Sequence, residues 1–440
     1  MIKEKKKENI FRRIYTAYRK IVLEKYQFAL LTIFLLLAVM LCSGSVLAVT
    51  NITNCTTISS SGVYHLNTSI DNVQDDYCIQ INKDNVTLNC LNWNNYIDGY
   101  GGDWALNWTN YSLEKGIYIT GQKNVTISNC NLTDVKYAIL INQTLNENIE
   151  ILNINTQNVV VPLSSSKVHY LKVNNFYSSK SGDNFLKLLN TNHSDFRNCI
   201  SLEGLTTNFH GISLWRSNNN TFVNITENQG KWGIILSLGN SDNNIFENMN
   251  ISDMSSIGLW VQSYCDNNSF TNSIFLNNTI GLWVEYFNEY NTFYNNYFHN
   301  NSGYLMQTAE RNYWNTTKTL GTNIIGGSYL GGNYWADYVG NDSDGDGIGD
   351  TPLVFGTNNT DYLPLVFAVA VAEEDEQITC PDDSPLCFLM QSAGAGLGLF
   401  FTYLGIALAL LLIALAFVVV IISIGQRIAS VIRGEMPTGE

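Results

Sequence analysis

The run Asp342-Ser-Asp344-Gly-Asp346-Gly-Ile348-Gly-Asp350 places carboxylates at the first, third and fifth positions of a loop, glycine at the sixth and a backbone carbonyl at the seventh. Acidic side chains alternating in this way can wrap around a hard cation, and the pattern opens like a calcium loop. The twelfth position is Leu353, where such a loop carries a bidentate glutamate, so a further ligand has to come from Asp350, Asp337 or Asp361. The expected cofactor is a structural calcium held by Asp342, Asp344, Asp346, the Ile348 carbonyl and Asp350; the alternative is an acidic turn without metal.

Other reactive groupings are thinner. Polysaccharide cleavage needs paired carboxylates, or carboxylates beside Lys or Arg, on one face. Asp75 and Asp76 are adjacent, so on a strand they point apart, and they read as a turn. Asp183 and Lys187 would share a strand face, but a surface ion pair explains them equally well. Copper handling would want clustered His, Met or Cys. The five histidines are far apart, and only His169, His193 and His210 stand where successive structural repeats could bring them together.

A repeat must position these residues. A hydrophobic-x-Asn signature recurs at Asn129, Asn153, Asn175, Asn198, Asn224, Asn248, Asn272, Asn295 and Asn315, with a period near 24 residues. A glycine or alanine marker runs in step through Gly116, Ala138, Gly211, Gly233, Gly258, Gly281 and Gly303. Short alternating runs such as Gly-Ile-Tyr-Ile follow the marker, and the segment holds almost no proline. Alternation means half-buried strands, and a period of this length built of strands and turns is one coil of a parallel β-helix. Leu282 and Val284 then face the interior, and the asparagines stack and hydrogen-bond along the axis. Parallel crossovers are right-handed by strong default.

The third position of the marker, counting the glycine as the first, should face outward, where it holds Trp260 and Trp283 one coil apart, with Trp215 and Trp232 nearby. An exposed aromatic stripe marks a contact surface, and flat rings suit sugars or a partner protein. A covering loop or a second copy of the chain is the plainer explanation.

The flanks speak of a membrane. Residues 1–27 hold nine Lys or Arg, and residues 28–49 form an uncharged apolar stretch that reads as either a signal peptide or a retained anchor. Residues 393–424 are uncharged and long enough to span a bilayer, with Arg427 and Arg433 following. Basic flanks stay inside, so residues 50–392 lie outside, and both termini are cytoplasmic if the leader is retained. That outer part has 13 Lys and Arg against 33 Asp and Glu, a net of −20, which argues against nucleic acid as a partner. All 19 Asn-x-Ser/Thr sequons fall in it, Asn85, Asn124, Asn224 and Asn250 among them, as expected of a glycan-coated surface, although an Asn- and Thr-rich chain makes many by chance. Eight of nine cysteines also lie outside, where disulfides persist. Cys55 is expected to pair with Cys78 and Cys380 with Cys387; the partners of Cys90, Cys130, Cys199 and Cys265 stay open.

Two further stretches carry a resemblance. The first is Cys55-Thr-Thr-Ile, Gly62-Val-Tyr-His-Leu, Cys78-Ile-Gln-Ile and Asn85-Val-Thr-Leu. The second is Tyr313-Trp-Asn-Thr-Thr, Asn323-Ile-Ile-Gly-Gly, Gly331-Gly-Asn-Tyr-Trp-Ala-Asp-Tyr, the acidic loop and Asp361-Tyr-Leu-Pro-Leu. With the repeats they resemble the NosD-like β-helix family, the carbohydrate-binding and sugar-hydrolase type abundant among archaeal surface proteins, over roughly residues 50–366. The resemblance implies a right-handed β-helix related to the pectate-lyase fold. Family members include sugar-acting enzymes, a copper-enzyme maturation factor and surface proteins, so fold alone does not choose a function.

The expected architecture is therefore an all-β parallel β-helix with caps, plus one or two transmembrane helices. A basic leader (1–27) and an apolar segment (28–49) precede the β-helix (50–315, its N-terminal cap at 50–100). A C-terminal cap (316–366), an acidic linker (367–392), a membrane span (393–424) and a tail (425–440) follow. The expected role is a membrane-embedded surface protein that binds glycans or neighbouring envelope proteins. The competing role is a tethered polysaccharide lyase, hydrolase or epimerase.

Overall fold

The computed structural model describes residues 49–91, 95–99, 114–204, 209–237 and 239–367. The leader, the two apolar segments, the acidic linker beyond Phe367, and Cys380 and Cys387 lie outside the described residues. Among those described, no helix is long and apolar enough to cross a membrane.

Parallel strands wind into a solenoid of about ten turns. Each turn crosses three faces. In one coil Lys115–Thr120 lies on the first face, Lys123–Ser128 on the second and Asn131–Thr133 on the third, and Tyr137–Asn142 returns to the first. Every coil pairs in parallel register with the next: Ile117 with Ile139, Ile127 with Ile151, Leu132 with Thr156. Some strands, such as Asn146–Val159 and Val161–Ser181, run around a corner, so 25 strands form one continuous sheet.

The corners explain the asparagines. Asn129, Asn153, Asn175, Asn198, Asn224, Asn248, Asn272 and Asn295 all have φ between 53° and 58°. Asparagine tolerates this left-handed backbone better than other non-glycine residues, because its short amide bonds locally. Stacked coils also let the amides bond each other: Asn153 Nδ2 donates to Asn129 Oδ1 at 3.0 Å and Asn175 Nδ2 to Asn153 Oδ1 at 2.9 Å. The expected ladder is present in part, with the turn conformation as its physical cause: Asn198 donates to Asn174 instead, Asn272 to Glu247, and Asn315 to the Thr316 carbonyl.

The interior is a set of columns. One runs Leu88, Ile127, Ile151, Val173, Phe196, Phe222, Phe246, Phe270 and Phe293, each paired with the next. From Phe196 onward the rings stack 4.7–5.1 Å apart with planes within 7°. Leu282 and Val284 are buried as their alternation requires. A second ladder of fully or almost fully buried amides passes from Asn220 through Asn244, Asn268 and Asn291 to Asn312, each Nδ2 donating to the next Oδ1 at 3.0–3.1 Å.

Both kinds of column need an end, and the C-terminal cap supplies it with tryptophan. Trp314 stacks on Phe293 at 4.5 Å and donates its indole N–H to Asn359 Oδ1 at 3.0 Å, which also accepts from Asn312. Trp335 stacks on Phe298 at 4.5 Å and donates to Asp361 Oδ2 at 2.9 Å, beside the backbone N–H of Asn333 at 2.9 Å. Tryptophan alone offers a ring wide enough to cover phenylalanine and one N–H to satisfy a buried acceptor. Gly332 is obligatory here, because a Cβ would sit 1.8 Å from Asp361 Oδ1. These residues are the Gly331-Gly-Asn-Tyr-Trp and Asp361-Tyr-Leu-Pro stretches on which the family resemblance rests.

The expected Cys55–Cys78 disulfide is formed. Cys90 pairs with Cys130, while Cys199 and Cys265 are free thiols whose burial pushes both pKa values up to about 12. One interior column is polar: Thr156, Ser178, Ser201 and Glu227 lie on successive coils between Leu132 and Ile251. Glu227 is wholly buried, no hydrogen bond of good geometry reaches either oxygen, and burial holds its pKa well above the carboxylate range against the opposing pull of the Ser201 hydroxyl. Burial therefore favours its neutral form.

Candidate functional site

The tryptophans lie on the first face. Trp260 and Trp283 are paired across adjacent strands, stacked 5.1 Å apart with planes at 12°. Each is half-buried. Stacked rings cover one another's faces, so this pair offers solvent mainly its edges. Both indole N–H groups are engaged, Trp260 to Glu285 Oε1 at 2.9 Å and Trp283 to Gln307 Oε1 at 3.1 Å. Trp215 lies in the neighbouring outward column and is 53% exposed. Trp232 continues the stripe between Lys231, 4.0 Å above its ring, and His210, 4.3 Å away.

Glu285 connects this stripe to a more exposed surface. Its other oxygen accepts from the backbone N–H and hydroxyl of Ser263, at 3.2 Å each. Tyr264 follows, on the corner between the first and second faces. Tyr264 is 53% and Phe287 55% exposed, and they stack at 5.1 Å. Tyr286 is exposed beside them, and Tyr290 stacks on Tyr313 at 6.4 Å.

Three of these residues are conformationally costly. Tyr264, Phe287 and Tyr290 have φ of 63°, 62° and 59°. Preceding coils place Asn219, Asn243 and Asn267 at the Tyr290 corner, and Gln143, Lys167, Asn190, Arg216 and Asn240 at the corner of Tyr264 and Phe287. A bulky ring in the left-handed region costs on the order of 1 kcal/mol or more relative to the residues that tolerate it. Beneath the rings runs a carboxylate ladder: Asp242 Oδ1 accepts from the Asp266 N–H at 2.9 Å, and Asp266 Oδ1 from the Glu289 N–H at 2.8 Å. Burial raises both aspartate pKa values. The corner thus joins aromatic rings to hydrogen-bond acceptors. Sequence reasoning did not reach it; its one signal was aromatic residues recurring one coil apart at turn positions where other coils carry polar residues.

A separate groove of about 450 Å³ lies on the second face. It is lined by Tyr170, His193, Lys172, Glu150 and Asp195 among others. Tyr170 stacks on His193 at 5.7 Å, and Lys172 pairs with Glu150 at 2.7 Å. His169 and His193 rings are 6.2 Å apart, but His210 faces Trp232 on another face, so the three histidines do not converge. Asp183 and Lys187 form an ion pair at 3.5 Å, and Asp76 pairs with Lys115.

In the cap, ligand atoms of Asp342, Asp344 and Asp346 all lie within 4.8 Å of one another. The loop is shaped by its own amides: Gly347 N–H donates to Asp342 at 2.8 Å and Ile348 N–H to Asp346 at 2.8 Å, with Gly345 and Gly347 in left-handed turns. Oxygen donors alone suit calcium or magnesium better than copper. Asp350 turns away toward Ser343, whose side chain first and N–H second, the latter at 2.8 Å, hold its pKa low. Asp361 is buried under Trp335, so of the proposed supplementary ligands it is not available. Lys318 lies against Asp346 and partly balances the charge.

The sequons Asn85, Asn124, Asn224 and Asn250 are all exposed, but the first three belong to amide ladders: Asn124 Nδ2 donates to Asn85 Oδ1 at 3.0 Å and Asn224 Nδ2 to Asn198 Oδ1 at 3.1 Å. A glycan on Asn124 or Asn224 would leave one N–H for the ladder.

A family model described as periplasmic copper-binding protein (NosD) matches residues 187–340. The chain carries a NosD-like right-handed β-helix. No curated protein matches it. Among solved structures the NosD-like chain is similar to the Dettilon tailspike protein (11% identity, 57% of this chain and 54% of that one, TM-score 0.38), and so spans about half that protein's length. It is similar to the A-module of the mannuronan C-5 epimerase AlgE6 of Azotobacter vinelandii (10% identity, 61% and 87% covered, TM-score 0.40). It is also similar to PfbA, a surface adhesin of Streptococcus pneumoniae (10% identity, 60% and 84% covered, TM-score 0.32).

Proposed function

We propose that this NosD-like chain is a membrane-anchored surface protein whose aromatic corner and adjoining tryptophan stripe bind glycans, with envelope proteins as the other class of partner. The observation that carries this reading is the pair Tyr264 and Phe287, exposed and stacked in a backbone conformation that costs stability. Strain retained at an exposed position points to use of that surface. Aromatic rings beside carboxylate acceptors match the apolar and hydroxyl patches of a sugar. Anchoring follows from the basic leader and the apolar segment 393–424, which place residues 50–392 outside and decorated at its sequons.

The test reverts the strained residues. Tyr264→Asn with Phe287→Asn supplies a residue that other coils use at this corner, so thermal stability is expected to hold or rise while retention on a glycan array falls at least tenfold. Unchanged retention would sink the reading. Adding Trp260→Ala and Trp283→Ala asks whether the stripe belongs to the same surface.

We assign calcium to Asp342, Asp344 and Asp346, with the Ile348 carbonyl as a further donor, in a cap-stabilising role. Chelator should lower the melting temperature of the parent chain and leave Asp344→Asn unaffected.

A second reading, a membrane-tethered lyase, hydrolase or epimerase, is favoured by the groove where Tyr170, His193, Lys172 and Glu150 meet. It requires cleavage or epimerisation of a polysaccharide that Tyr170→Phe abolishes.

A further inference from the structure

Within the aromatic columns each ring covers its neighbour's face: Tyr264 lies on Phe287 and Tyr290 on Tyr313. Tyr313 meets Tyr290 diagonally, since its register partner is Thr292, and past it the chain enters the cap. Tyr313 lines a groove of about 300 Å³ with Arg311, Asn315, Asn358 and Tyr362. Tyr313 is 44% and Tyr362 63% exposed. The floor is held rigid by satisfied polar groups: Asn312 and Trp314 both donate to Asn359 Oδ1, at 3.3 and 3.0 Å, and the Tyr362 N–H donates to Asn315 Oδ1 at 3.3 Å.

Arg311 is the one formally charged residue lining this groove. It is exposed and forms no ion pair among the described residues. A guanidinium presents a planar fork of N–H donors that fits the paired oxygens of a carboxylate or sulfate. The exterior around it is strongly acidic, with 13 Lys and Arg against 33 Asp and Glu over residues 50–392. A general field would repel an anion, so one that binds must be held by this local fork.

We propose that the cap groove is a binding subsite for a single anionic sugar residue, its ring between Tyr313 and Tyr362 and its carboxylate or sulfate on Arg311. This deepens the glycan-binding reading and rests on it. The groove begins at Tyr313, on which Tyr290 of the corner stacks, so a glycan along the corner would place one residue there.

The test uses the full-length chain and three matched glucose oligosaccharides: neutral, with one glucuronate, and with one sulfate. The charged probes are expected to bind roughly tenfold more tightly than the neutral one, the effect of one charge-assisted bidentate contact. Arg311→Gln should erase that preference and leave neutral binding and melting temperature unchanged, while Arg311→Lys keeps part of it. The two charged probes distinguish which anion is preferred. Neutral binding with no preference for charge, or a preference that survives Arg311→Gln, overturns the subsite alone. No binding of any probe overturns both the subsite and the glycan-binding reading.

Discussion

The coils before about residue 192 and those after it are held together differently. In the earlier coils the shared interior column is aliphatic, Leu88, Ile127, Ile151 and Val173; in the later ones it is Phe196, Phe222, Phe246, Phe270 and Phe293. The earlier coils carry both disulfides and outer ion pairs such as Lys123 with Glu147 at 2.6 Å. The later ones carry the buried amide ladder. One earlier coil is also much longer than the rest. Ladder partners are 23 or 24 residues apart between Asn220 and Asn291, but 39 apart between Asn85 and Asn124. Amides still stack across the longer coil, as Asn124 on Asn85 and Asn129 on Asn89, each at 3.0 Å. Where a coil is longer, more chain entropy is lost on closing it, and the Cys90–Cys130 bond across 40 residues fixes that closure covalently.

Substitutions can break this contrast. Phe246→Ala should cost the most, about 4 kcal/mol, because it opens a cavity within a continuous ring stack. Ile127→Val in the aliphatic half should cost about 1 kcal/mol, and urea midpoints compare the two. Replacing Cys90 and Cys130 by serine should cost about 3 kcal/mol. Hydrogen exchange is then expected to quicken in residues 77–142 and to stay slow in residues 221–298. Equal quickening in both regions would mean that the coils unfold as one unit. Asn268→Leu should cost about 2 kcal/mol, since it strands the N–H groups of Asn244 that now reach Asn268 Oδ1 at 2.9 and 3.0 Å.

The smallest effect sharpens the contrast through pH. Burial under Trp335 raises the Asp361 pKa to about 6, against four N–H donors that oppose the shift. The folded cap therefore holds more protons than the unfolded chain between about pH 4 and 6. Stability present below that window is lost as pH rises through it, by at most about 3 kcal/mol. Glu227, raised by burial, acts in the same direction. Denaturation midpoints at pH 4 and pH 7 should show the fall, and Asp361→Asn should reduce it.

Much of this was legible in the sequence. The period, the asparagine columns and the inward Leu282 and Val284 followed from spacing, because a solenoid repeats its environment and so repeats its residues. The cap was recognisable by its motifs, but the reason for Trp314, Trp335 and Asp361 was not, since it depends on which column each one closes. Tyr264 and Phe287 escaped because they break the repeat rather than follow it. Glu227 escaped because nothing in the local sequence tells an inward acid from an outward one at a position where neighbouring coils place Ser201 and Ile251.

The buried ladder has a direction. Each amide from Asn220 to Asn312 donates toward the C terminus and accepts from the coil before it, and the parallel row through Asn296 and Asn333 ends on Asp361, which accepts and passes nothing on. A coil copied from residues 245–268 would bring its own ring, its own donor and its own acceptor, and would fit between its neighbours without changing either. Nothing can be copied in that way beyond Asp361. The length of such a protein is thus free to drift by whole turns during evolution, while its terminus is written once, as a stop.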